Sequence, residues 1–259
     1  MDTILLILAV LPVAVLALVV YRQDKVEKEP FGKLLLAFFM GMLAVVPAII
    51  GESFLEAYTP DIPVLHGAYT GFVVAGCCEE AAKLLMLYWA IWKSREFNEY
   101  FDGIVYACFV SLGFACVENI GYVTMQDTFS SAVATGSVRA LLSVPGHFLF
   151  GVMMGYHFAL AKFKPARKGH HLWMAFFIPM LWHGAFDSLL MVAEDLGEHV
   201  DLVAGALLLF FIFFDIRMWK WGVRRIHRLQ QLSNEQKKAA EGERLHLLEN
   251  PFEGFKWYI

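Results

Sequence analysis

Charge is scarce in this sequence. Only 18% of its 259 residues are Asp, Glu, Lys or Arg, against 58% that are hydrophobic. With a mean hydropathy of +0.55, that balance excludes a disordered polymer and disfavours an ordinary water-soluble domain. Cysteine is nearly absent too. Cys77, Cys78, Cys108 and Cys116 all fall inside apolar stretches with neither CxxC nor metal-knuckle spacing, which argues against a disulfide framework and leaves reduced packing residues. The net charge of −4 offers no basic field to attract nucleic acid. There is no Gly-x-Ser-x-Gly elbow, Walker loop, dinucleotide fingerprint or His-Glu-x-x-His string, so the corresponding hydrolase, nucleotide and zincin chemistries have no motif to stand on. Internal repeats, low-complexity segments and a second soluble domain are also missing.

What the chain has in abundance is long apolar runs. Crossing about 30 Å of hydrocarbon at 1.5 Å per residue takes about 20 residues. Seven stretches qualify: 3–21, 34–51, 67–92, 103–124, 134–161, 171–193 and 200–221. They predict an all-α integral membrane protein, a bundle of seven spans over residues 1–221, followed by a mixed-charge, weakly amphipathic tail over 222–259 that is expected as a helix in the cytoplasm or on the membrane surface. The first run has no basic residue before it, only Met1-Asp2-Thr3, and Arg22 after it, as an uncleaved anchor would. Lys and Arg are retained in short cytoplasmic loops. They populate the segments after spans 1, 3 and 5 (Arg22, Lys25, Lys28, Lys33; Lys93, Arg95; Lys162, Lys164, Arg167, Lys168) and the tail, while the stretches 52–66, 125–133 and 194–200 hold only acids. The N-terminus is therefore expected outside and the C-terminus in the cytoplasm, in a cytoplasmic membrane.

Against this apolar background several polar residues stand out, because a charge at membrane depth costs several kcal/mol and usually faces the bundle interior. Span 3 carries Glu79, Glu80 and Lys83; span 4, Glu118 and Asn119; span 5, His147 and His157; span 6, His183 and Asp187. Counting helix rise from each outer boundary puts Glu79, His147 and His183 roughly 15–20 Å deep and Glu118 and Asp187 about 9–10 Å deep. Four helices running in both directions thus present acids or imidazoles in one slab. Glu79 and Glu80 lie four and three residues before Lys83, so its ammonium is expected to neutralise one carboxylate and leave the other free as a base. His183 and Asp187, four apart, share a face, where the acid either orients the imidazole or shares a ligand with it. Gly113, Gly146, Gly151, Gly155 and Gly184 would allow close backbone approach, and Pro145 would open the helix before His147. Such a set suits activation of a water molecule. His157, at the inner edge, reads as a packing histidine; His66, His170, His171, His199 and His227 as solvated; Arg139 as snorkelling outward or pairing with an outer-leaflet acid such as Asp127.

The ordered strings Glu79-Glu80-x-x-Lys83, Phe114-x-x-x-Glu118-Asn119, His147-x-x-x-Gly151 and His183-x-x-x-Asp187 resemble the PrsW family of bacterial intramembrane proteases, related in turn to the type II CAAX prenyl endopeptidases. The likeness covers about residues 15–220. It implies endoproteolysis of a membrane-anchored, single-span protein such as an anti-sigma factor, cut at site 1 to start a stress response. It also implies either a Zn²⁺ mechanism or a glutamate mechanism without metal. On that basis Glu79 activates water and Glu80 with Lys83 supports it. Glu118, His147 and His183 hold the metal or the oxyanion, Asp187 orients His183, and Asn119 holds substrate backbone. Two other classes compete: a proton-coupled transporter or channel using the same groups as a relay, and a noncatalytic scaffold in which they only hold the bundle together.

Overall fold

The structure is a computed structural model that describes residues 3–197 and 201–249. Among the described residues the only regular structure is helical. Helix α1 spans Thr3–Gln23 and α2 spans Phe31–Glu56. Helix α3 (Pro63–Tyr69) passes without a break through a wide-turn π segment (Thr70–Gly76) into α4 (Cys77–Ile91). Then follow α5 (Asp102–Thr124), α6 (Phe129–Leu141), α7 (Ser143–Phe163), a 3₁₀ turn at Pro165–Arg167, α8 (Lys168–Gly197) and α9 (Asp201–Glu249). Five stretches, 3–23, 31–56, 102–124, 129–163 and 165–193, are long and apolar enough to cross a membrane. The protein is a multi-pass membrane protein. What remains of the acidic loop expected at 194–200, Glu198 and His199 included, lies outside the described residues, as does the tail from 250 to 259.

Helices α5 and α7 form the centre, with side chains buried on every face, from Ile104 to Cys116 and from His147 to Ala161. The outer helices turn apolar side chains outward: Leu11, Val15 and Leu18 on α1, and Leu43, Val46 and Ile50 on α2, are exposed. That inversion is what a lipid solvent selects. The α2–α5 crossing is close because it has no side chain in it. A Cβ on Gly113 would lie 2.0 Å from the Phe38 carbonyl oxygen, so α5 meets α2 backbone to backbone. Of the five glycines read as contact points, Gly146 meets only ordinary side-chain contacts, the nearest at 3.5 Å.

Three features depart from the sequence expectation. The expected single span at 134–161 is broken at Leu142 (φ −118°, ψ −62°) into α6 and α7. Pro145 then sits in the first turn of α7, where its missing N–H is no loss; it starts a helix rather than opening one. Thr128 and Ser131 close a reciprocal capping box at the start of α6, fixing that short helix independently of α7. The second departure is the π segment of span 3, which inserts one residue per turn where α3 and α4 pack on α8. The third is α9, which continues straight through residue 222 instead of ending with the last span. No proline interrupts it between 201 and 249, and its polar half docks on the loops between α1 and α2 and between α4 and α5. Gln230 donates to the Gln23 carbonyl (2.7 Å), Gln236 to the Asn98 carbonyl (2.9 Å), and the Phe101 N–H donates to the Ser233 hydroxyl (2.9 Å).

Candidate functional site

Each helix contributes what its register allows. In α4, Glu79, Glu80 and Lys83 share one face because offsets of three and four residues bring side chains together. Lys83, with no exposure, donates to Glu79 Oε2 (3.0 Å) and to Glu80 Oε1 (2.8 Å). The ammonium engages both carboxylates, which corrects the expectation that one would remain free. It also lies 3.0 Å from His147 Nδ1 and 4.1 Å from the centre of the Phe114 ring. Glu80 is fully enclosed and its Oε2 has no partner, whereas the Glu79 side chain keeps 8% exposure.

The two imidazoles are arranged alike. His147 on α7 turns Nε2 to Glu118 Oε2 of α5 (2.7 Å) and Nδ1 to Lys83. His183 on α8 turns Nε2 to Asp187 Oδ2 (3.1 Å) and Nδ1 to Glu80 Oε1 (2.9 Å). In each case a carboxylate at the edge of the cluster holds Nε2 while Nδ1 points inward. An outer carboxylate of this kind fixes the tautomer and direction of a metal-binding histidine. Their rings lie 5.2 Å apart and nearly perpendicular, with Phe150 stacked on His183 at 4.6 Å.

The π segment and Gly184 set the position of His183. A Cβ on Gly184 would come within 2.4 Å of the Phe72 ring and 2.8 Å of its backbone. Phe72 belongs to the wide turn, so α8 reaches the start of α4 only because position 184 has no side chain. The Ser111 hydroxyl of α5, bonded to the His147 carbonyl at 2.6 Å, locks the α5–α7 register in the same way.

Arg139 pairs with an acid, as one of its two expected readings has it, but the acid is Glu118 and not Asp127. Its Nη2 lies 2.9 Å from Glu118 Oε2, its Nε donates to Asn119 Oδ1 (2.8 Å), and its guanidinium covers the Tyr122 ring at 4.0 Å. The break at Leu142 is what lets α6 fold Arg139 over the end of α5. Asn119, expected to hold substrate backbone, has its oxygen on Arg139 and its amide on the Ala9 carbonyl (2.8 Å). Glu52, read as a loop acid, belongs to the end of α2. His157 stays apart, facing His171 at 3.4 Å.

Donor atoms of Glu79, Glu80, His147 and His183, all buried, lie within 4.8 Å of one another. Two imidazole nitrogens with carboxylate oxygens at that spacing match the ligand chemistry of zinc. The unpartnered Glu80 oxygen and the two inward nitrogens add to that fit. Glu118, expected as a ligand, stands outside this group and holds His147 from behind.

Comparison with known proteins agrees with this geometry. Residues 29–216 match the family described as PrsW family intramembrane metalloprotease. The chain is 37% identical over 187 residues to Protease PrsW of Geobacillus kaustophilus, covering 72% of this chain and 80% of the relative. It is 32% identical over 240 residues to Protease PrsW of Clostridioides difficile, covering 92% and 95%, and 30% identical over 216 residues to Protease PrsW of Bacillus subtilis, covering 82% and 89%. No solved structure matches the chain.

Proposed function

The chain belongs to the PrsW family of intramembrane metalloproteases and is an intramembrane endopeptidase, and from that premise we propose that Glu79 is its general base and that Glu80, His147 and His183 form its metal-binding face. The observation that carries this reading is the paired orientation of the imidazoles. Both have Nε2 held by an outer carboxylate and Nδ1 turned into the buried cluster, that of His147 toward Lys83 and that of His183 toward Glu80. A catalytic zinc takes three protein ligands and keeps one position open, which assigns the fourth donor of the group to another task. Glu79 suits it, because its carboxylate alone of the two glutamates keeps contact with the exterior. A divalent metal held by Glu80, His147 and His183 would supply Lewis-acid polarisation.

The chain's own residues account for the proton. Glu79 accepts a proton from the attacking water as the water oxygen bonds to the scissile carbonyl carbon, and returns it to the amide nitrogen as the C–N bond breaks, leaving a carboxylate and an amine. Lys83, 3.0 Å from Glu79, offsets negative charge as it builds in the pocket. Glu118 and Asp187 keep the imidazoles aimed, and Arg139 keeps Glu118 aimed. The substrate is a single-span membrane protein such as an anti-sigma factor, cut near the outer surface of a cytoplasmic membrane. The acids at the edge of the site, Glu118 and Asp187, are 19% and 21% exposed, giving a route by which an unwound segment reaches the cluster.

Glu79→Gln, His147→Ala and His183→Ala are each expected to abolish cleavage of a single-span reporter while leaving the protein folded. Cleavage retained by all three would end the assignment. Metal analysis of purified protein tests the ligand set separately: His183→Ala and Glu80→Gln should lose bound metal, and Glu79→Gln should keep it.

A further inference from the structure

Phe114 has no part in the proton path or in the metal-binding face, yet it stands four residues before Glu118 on α5, so the two share a face. Glu118 holds His147 Nε2 at 2.7 Å. Phe114 meets the group on the other side of that imidazole. The Lys83 ammonium lies 4.1 Å from the centre of the Phe114 ring, and the His147 ring lies 5.8 Å away, tilted by 53°.

The ring is fixed from behind. Phe114 is buried and packs with Ala44 and Ala48 of α2 and Ala82 of α4, and its neighbour Gly113 sets α5 directly on the α2 backbone at Phe38. Lys83 is fully enclosed. Its ammonium has Glu79 Oε2 at 3.0 Å, Glu80 Oε1 at 2.8 Å and His147 Nδ1 at 3.0 Å, one neighbour for each N–H it can donate. Two of those neighbours have other duties. Glu80 Oε1 also meets His183 Nδ1 at 2.9 Å, and Glu80 and His147 belong to the metal-binding face. The Phe114 ring competes for none of these donors. Its negative face attracts a cation, most strongly where water is excluded.

We propose that Phe114 is a positioning residue for Lys83, its ring face keeping the ammonium beside Glu79 and His147 by cation–π attraction. One face of α5 then aims both members of the Lys83–His147 contact, the imidazole through Glu118 and the ammonium through Phe114. This role rests on the reading of Glu79 as general base, beside which the Lys83 charge has to stand. A leucine at 114 would fill space but offer no negative face.

Ring fluorination separates attraction from packing, because fluorine drains the negative face and changes the size of the ring little. With mono-, di- and trifluorinated phenylalanine placed at position 114 of the full-length protein, kcat for the single-span reporter should fall stepwise, about tenfold or more across the series, with KM unchanged. The trifluorinated residue at Phe158, which is buried among Trp92 and Phe97, should leave kcat as it is. A second measurement needs no cleavage. Phe114→Leu and the trifluorinated ring at 114 should both raise labelling of Lys83 by a membrane-permeable amine reagent, read by peptide mass spectrometry, and Phe158→Leu should not. Circular dichroism checks that each variant is folded. A flat kcat series at 114, an equal fall at 158, or unchanged labelling of Lys83 overturns the proposal. Normal cleavage by Glu79→Gln would instead overturn the general-base reading, and the labelling would still decide whether Phe114 holds Lys83.

Discussion

At the scale of single residues, each imidazole of the intramembrane cluster is paired with a carboxylate that aims it. Arg139 shows how far this extends. It binds Glu118 and Asn119 together, so removing it leaves Glu118 with only His147. Arg139→Ala is expected to lower reporter cleavage 10- to 100-fold, the range typical of groups behind a metal ligand, with the loss in kcat rather than KM. Arg139→Lys should recover part of it. Glu118→Gln should cost a similar factor, and the double variant should cost less than the product of the two, because both act through His147. Most of the cluster was legible in the sequence. Glu79, Glu80, Lys83, Glu118, His147, His183 and Asp187 are out of place in apolar helices, and the spacings of three and four residues imply their pairings. Which acid Arg139 pairs with was not legible. A lone arginine near a span boundary fits snorkelling equally well, and only the turn at Leu142 directs it inward.

At the scale of elements, the helices were legible from hydropathy and their irregularities were not. The wide turn at 70–76 has no compositional mark, since its glycines and valines suit an ordinary apolar helix. Its necessity appears only against Gly184 of α8. Gly184→Val is expected to cost about 1–3 kcal/mol by overpacking against Phe72, read as a lower melting temperature, together with lost cleavage as His183 is displaced. The α1–α2 and α4–α5 loops give a different signal. Burial raises the Asp24 carboxyl to about 6, and the Glu29 and Glu99 carboxyls to about 7. The unfolded chain releases these protons in the ordinary carboxylate range and the folded protein holds them longer, so the folded state binds more protons in between. The stability they contribute is complete at acid pH and lost as pH rises toward about 7. A melting series across that range should fall for the unaltered protein and flatten for Asp24→Asn/Glu99→Gln.

For the whole molecule, the basic loops after the first, third and fifth expected spans come to one end, where Lys162 donates to the Trp92 carbonyl and α9 ties the first two loops together. The change of composition at 222 suggests a tail helix separate from the last span, yet such a change does not stop a helix when no breaker is present. Ending the chain at Trp221 removes the Gln230, Ser233 and Gln236 contacts, each worth about 1 kcal/mol. The truncated protein is therefore expected to melt lower, and its α4–α5 loop to be cut faster by added protease. Helix α9 also has a mechanical property that its sequence conceals. Its 49 residues make a rod about 74 Å long, braced where Trp219 meets Phe148 and Gly222 meets Leu149. Those two contacts are the next residues along α7 from His147, so a pull on the distant end of the rod arrives, with little slack, beside the histidine that faces Lys83.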